Sequence, residues 1–103
     1  MTTPAAAFEP IGSRDAFVSL VQGRQLSGDG VRLTVTPDGG IGGRAFGFRV
    51  TGSWRWEGGY FCRTINTAVR KLPDNCQTVA RDGNVLRFTA DRGAGDSADL
   101  RIR

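Results

Sequence analysis

The period of apolar residues along this chain changes once. In Ser13–Gln22 (SRDAFVSLVQ), Phe17, Leu20 and Val21 recur at i, i+3 and i+4, the spacing of one helix face. Ser13 is placed to cap that helix, Asp15 sits in its first turn, and Gly23 follows as the residue that stops it. Beyond Gly23 the period drops to two. In Val31–Thr36 (VRLTVT), Val31, Leu33 and Val35 alternate with Arg32, Thr34 and Thr36. In Thr51–Glu57 (TGSWRWE), Trp54 and Trp56 share a face opposite Ser53, Arg55 and Glu57.

The remaining elements follow from the turn residues. Thr36-Pro37-Asp38-Gly39-Gly40 is a turn, with proline fixing φ and the glycines accepting positive φ. Gly58-Gly59 and Asp82-Gly83 are hairpin signals. They predict strands over Tyr60–Asn66, Cys76–Arg81, Val85–Ala90 and Ala98–Ile102, with loops at Lys71–Asn75 and Asp91–Ser97. Ile41–Val50 reads as one glycine-spotted strand bent near Gly47. Six to eight short strands at this spacing predict a mainly β domain, a small antiparallel barrel or sandwich with one short N-terminal helix across an open end. Residues 1–10 read as a flexible leader and 11–103 as a single domain. The expected core is Phe17, Leu20, Val21, Leu33, Val35, Phe46, Trp54, Trp56, Val79, Leu86, Phe88 and Leu100. For Tyr60 and Phe61 the pattern leaves open which one points inward.

The chain has 103 residues and no histidine, which excludes histidine-based triads and histidine-ligated metal sites. No apolar run approaches the ~20 residues of a membrane-spanning helix. Its formal charge of +4 comes from thirteen arginines and one lysine, Lys71, dispersed among acidic residues. Cys62 and Cys76 are the only cysteines, and their spacing is unlike a redox C-x-x-C or a zinc knuckle. An even pair in so short a chain predicts a disulfide and an oxidising compartment, periplasmic or secreted.

Three motifs carry candidate chemistry. Gly40-Ile41-Gly42-Gly43-Arg44-Ala45 matches the loose dinucleotide pattern, but aromatic alternation follows it instead of a helix. Arg44-Ala45-Phe46-Gly47-Phe48-Arg49-Val50 echoes the RNP1 strand of cold-shock and RRM proteins, which would make Phe46 and Phe48 stacking platforms for single-stranded nucleic acid. Core burial of those rings is the preferred reading. Asp91, Asp96 and Asp99 lack the spacing of a calcium loop and read as turn residues. No catalytic, cofactor or metal residue is expected. The candidate contact residues for a ligand or partner are Arg44, Trp54, Trp56, Tyr60 and Phe61, clustered around the Gly58-Gly59 hairpin and one neighbouring strand.

Over nearly its whole length the chain resembles a group of small exported bacterial proteins of unknown function, some labelled dihydrodipicolinate reductase. The resemblance lies in F-x-x-L-x-x-G-R-x-L at Phe17–Leu26, DGGIGGRAFG at Asp38–Gly47, VTGSWRWEGGYFCR at Val50–Arg63 and LRFTADRGAGDSADLRIR at Leu86–Arg103. The Gly/Trp strand leading into a cysteine-bearing strand is also similar to lipocalin-like domains. These resemblances imply a β-barrel and export, and no catalytic residue: the two-domain, histidine-dependent architecture of the reductase does not fit in this chain. The expected activity is binding, by a monomer of the cell envelope, of a protein or a small apolar ligand, with nucleic acid the alternative.

Overall fold

A computed structural model describes residues 7–103. Helix α1 spans Arg14–Val21. The Ser13 hydroxyl caps it by accepting from the Ala16 amide at 3.2 Å, and Gly23 leaves it at φ 71°. Nine strands accompany it among the described residues: β1 (Glu9–Pro10), β2 (Gln25–Gly28), β3 (Val31–Val35), β4 (Gly40–Ala45), β5 (Phe48–Glu57), β6 (Tyr60–Thr67), β7 (Lys71–Asp82), β8 (Val85–Thr89) and β9 (Ser97–Ile102). Strands β2 to β9 pair antiparallel in chain order, and β9 returns to β2, so they close into an eight-stranded up-and-down barrel. β1 lies outside that ring. It pairs with Ala80 and Arg81 of β7 beyond the end of β6, covering an otherwise free edge. The expected leader is therefore paired from Glu9 onward, and its first six residues lie outside the described ones.

Inward residues alternate with outward ones most plainly in β5. In β5, Val50 and Trp54 are buried while Arg49, Thr51, Ser53 and Arg55 are exposed. An apolar interior behind a polar wall is the reverse of a membrane-spanning barrel. Two glycines permit close strand approach. A Cβ on Gly52 would stand 2.2 Å from the Thr64 carbonyl oxygen, and one on Gly43 (φ 138°) 2.0 Å from that of Arg32.

The structure corrects three expectations and adds one strand. Ile41–Val50 is two strands, because Phe46 (φ 52°) and Gly47 (φ 85°) form a tight hairpin turn between β4 and β5. Phe46 consequently leaves the core and is 73% exposed, its ring lying over Gly30, where a Cβ would sit 2.7 Å away. Lys71–Asn75 is strand, not loop. Pro73 and Asp74 oppose the single residue Thr64 in a bulge, which accommodates a proline without an N–H to donate. Gln25–Gly28, unassigned by pattern, is β2.

The core otherwise holds Phe17, Val21, Val35, Trp54, Val79, Leu86 and Phe88 as expected, joined by Ile11, Leu26, Ile41, Val50, Phe61 and Ile102. Leu20, Leu33, Trp56 and Leu100 pack against it half-buried. Phe61, not Tyr60, points inward.

Cys62 and Cys76 face each other across β6 and β7 and are disulfide-bonded. Outside the same strands, Arg55 reaches Asp74 at 3.1 Å and Glu57 at 2.8 Å, and Thr64 donates to Asp74. Arg87 pairs with Asp99 at 2.8 Å. Hydrogen bonds from Arg55 and Arg87 hold the Asp74 and Asp99 carboxyls below the usual carboxylate range. A depressed folded-state value stabilises above the unfolded one and is lost as pH falls through it. The chain has no histidine, the residue whose ordinary value lies between about pH 5 and about 8. Thermal melting should therefore be flat across that window and shift downward only below about pH 4, where these pairs protonate.

Candidate binding site

The two ends of the barrel differ. At the end carrying the turns Thr36–Gly39, Gly58-Gly59 and Gly83-Asn84, α1 forms a floor. Phe17 is fully buried, its ring centroid 5.3 Å from Trp54, 5.4 Å from Trp56 and 5.1 Å from Phe61. The proline turn fastens this floor: Trp54 Nε1 donates to the Thr36 carbonyl at 2.8 Å and Arg14 donates to that of Pro37. Thr36 and the Gly40 amide both bond the Asp38 carboxylate, which keeps its pKa low.

At the other end, carrying the turns 29–30, 46–47, 68–70 and 90–96, no helix lies across the opening among the described residues. A cavity of about 340 Å³ descends from it. Leu26, Val35, Ile41, Val50, Phe61 and Phe88 line its depth, and Val31, Ala45, Phe46, Leu72 and Ala98 its lip. Thr67 and Gln77 are the polar residues of its wall. Such a space suits an apolar group and offers few fixed hydrogen bonds to orient one.

The expected contact residues divide between these places. Trp54 and Trp56 belong to the floor, packed on Phe17, and Phe61 joins floor and cavity wall. Trp56 Nε1 is buried there with no hydrogen-bond partner among the described residues. Tyr60 is half-buried on the outside, its ring 5.6 Å from the Arg92 guanidinium. Arg44 is exposed near the mouth and donates to the Gly47 carbonyl at 3.2 Å. Pattern reading missed Val31, Ile65, Leu72, Gln77 and Ala98 as lining residues, since only barrel closure brings them together. Their inward parity within each strand was the available signal.

The other motifs resolve geometrically. Gly40–Ala45 is β4, paired on both edges, so its glycines lie in a ladder and open no helix toward a phosphate. The RNP1-like segment folds back on itself at Phe46-Gly47, which puts its two rings on no single strand. Asp91 exchanges hydrogen bonds with Asn75 while Asp99 pairs with Arg87, so these carboxylates serve separate contacts. Among the described residues the group of metal-ligating types close enough to share an ion is Glu57, Cys62 and Cys76, and the disulfide consumes two of the three. Burial pushes the Arg63 guanidinium down, opposed by Asp74, while it donates to the Pro73 carbonyl at 2.8 Å.

No protein-family model, curated protein or solved structure matches the chain.

Proposed function

We propose that this protein is a binding module of an oxidising compartment outside the cytosol, taking a small apolar ligand into its barrel. The observation that carries this reading is the cavity of about 340 Å³, walled almost wholly by carbon and open at the end away from α1. Close-packed interiors seldom retain such a space without a use for it. The disulfide supports the compartment, because such bonds persist where thiols are oxidised. The surrounding residues act by exclusion of water and by shape, and the reading assigns none of them a bond-making role.

Titration with N-phenyl-naphthylamine, a neutral apolar fluorophore, tests the reading. The expected result is a saturable rise in emission at one site per chain. Ala98→Phe, which places a ring in the lip, should abolish the rise while the melting transition persists. Emission that rises without saturation, or is indifferent to Ala98→Phe, would count against a ligand in the barrel.

A further inference from the structure

The outer wall beneath the mouth carries a charge arrangement that the fold does not explain. Arg32 on β3 stands directly opposite Arg44 on β4, which stands directly opposite Arg49 on β5. Like charges in opposed positions destabilise a sheet. Among the described residues no ion pair offsets them: those present use Arg55 and Arg87, and none involves this row. Arg44, bonded to the Gly47 carbonyl, brings its guanidinium up to the lip.

The exposed large apolar side chains among the described residues are at that same lip. Phe46 is 73% exposed, Val69 71% and Phe48 45%. Phe46 occupies the β4–β5 turn at a positive φ that a phenylalanine seldom adopts, with its amide bonded to the Gly30 carbonyl at 2.7 Å. Arg70 in the β6–β7 turn and Lys71 at the start of β7, both exposed, follow Val69. Asp29 is the one carboxylate in the turns on this side, while Asp91 and Asp96 belong to the β8–β9 turn, diametrically opposite β4–β5 in the ring. That turn also carries the exposed Arg92 between its two aspartates, so the concentration of cations beside exposed aromatic rings belongs to the β4–β5 side of the mouth.

Apolar tips ringed by arginines match the interface of an anionic bilayer, where rings enter the headgroup layer and guanidiniums meet phosphate. We propose that the barrel docks mouth-first, tilted toward the β4–β5 turn, on an anionic phospholipid surface. Phe46, Phe48 and Val69 enter the headgroup layer, and the Arg32–Arg44–Arg49 row engages lipid phosphate. Single-stranded nucleic acid fits the same residues less well. Stacking platforms need rings beside the cations that track the phosphates, whereas Phe48 shares its side of β5 with Val50 and the arginines occupy the other. Docking does not depend on the cavity having a ligand, but it would set an apolar opening against a lipid phase.

Sedimentation with vesicles of phosphatidylcholine alone, and of phosphatidylcholine with phosphatidylglycerol in equal parts, tests the proposal. The full chain should partition onto the anionic vesicles at low salt and be released as salt rises. Arg44→Gln and Arg49→Gln should each weaken partition about fivefold, and Phe46→Ser with Phe48→Ser about tenfold or more. These side chains are exposed, so near-ultraviolet circular dichroism should confirm that each variant keeps the fold. Phe46→Trp gives an independent readout, its emission shifting to the blue on anionic vesicles. Ala98→Phe should bind vesicles like the parent protein, which separates this surface from the cavity. Absent partition, partition equal on both vesicle types or indifferent to the arginine and phenylalanine variants, or retention of a single-stranded oligonucleotide in place of vesicles overturns the proposal.

Discussion

Phe17→Ala should lower the unfolding free energy by about 3–5 kcal/mol, the range for removing a buried aromatic side chain. The cost falls at the upper part of that range because the ring has no exposed edge and four aromatic neighbours, with Phe88 at 6.3 Å completing the set. Interaction geometries between those rings add to the area each removes from water. Total stability for a domain of this size is only about 5–15 kcal/mol, so the variant should melt more than about 12 °C below the parent protein. Differential scanning calorimetry measures this directly. Trp54 and Trp56 both touch Phe17, so their emission in the folded variant should move to the red as water reaches the floor. Phe17→Leu, which keeps most of the volume, should recover a large part of the loss. A shift of a degree or two would mean that α1 is not the floor of the barrel.

That helix was legible because everything specifying it is local: a serine at the cap, apolar residues at i, i+3 and i+4, and a glycine where the chain must turn left-handed. The Trp54 and Trp56 strand and its Gly58-Gly59 turn were legible for the same reason, as was the pairing of two lone cysteines. What escaped was set by distant partners. β2 has a single buried apolar residue, Leu26, and its pairing with β3 and β9 makes it a strand. Phe46 looked like a core residue because phenylalanine seldom takes a positive φ. The contact that holds it there is with Gly30, sixteen residues earlier, and no local pattern records it. Pro73 reads as loop until the bulge opposite Thr64 is seen. The same limit governs function. The cavity exists only after β9 meets β2, and the opposed arginines become neighbours only in the register that β3, β4 and β5 adopt.

The proposed compartment rests on the disulfide, whose energetic share can be measured. Cys62 and Cys76 lie 14 residues apart, and closing a loop of that size restricts the unfolded chain by about 3 kcal/mol in the chain-entropy account. The paired variant Cys62→Ala, Cys76→Ala should therefore melt roughly 12–24 °C below the oxidised parent. It should keep the barrel at low temperature, since the cysteines occupy ladder positions that backbone pairing already fixes. Access adds a second consequence. Cys62 is fully buried and Cys76 half-buried, so a thiolate reductant must attack Cys76 or wait for β6 and β7 to open. Native protein in dithiothreitol should lose its crosslink slowly, and far faster in denaturant, as followed by thiol titration after quenching. Denatured, unreduced protein should show no free thiol. Two free thiols in protein purified from an oxidising compartment would remove both the stabilisation and the argument for that compartment. An equal melting temperature for the paired variant would leave the crosslink as a mark of location with no part in holding the barrel together.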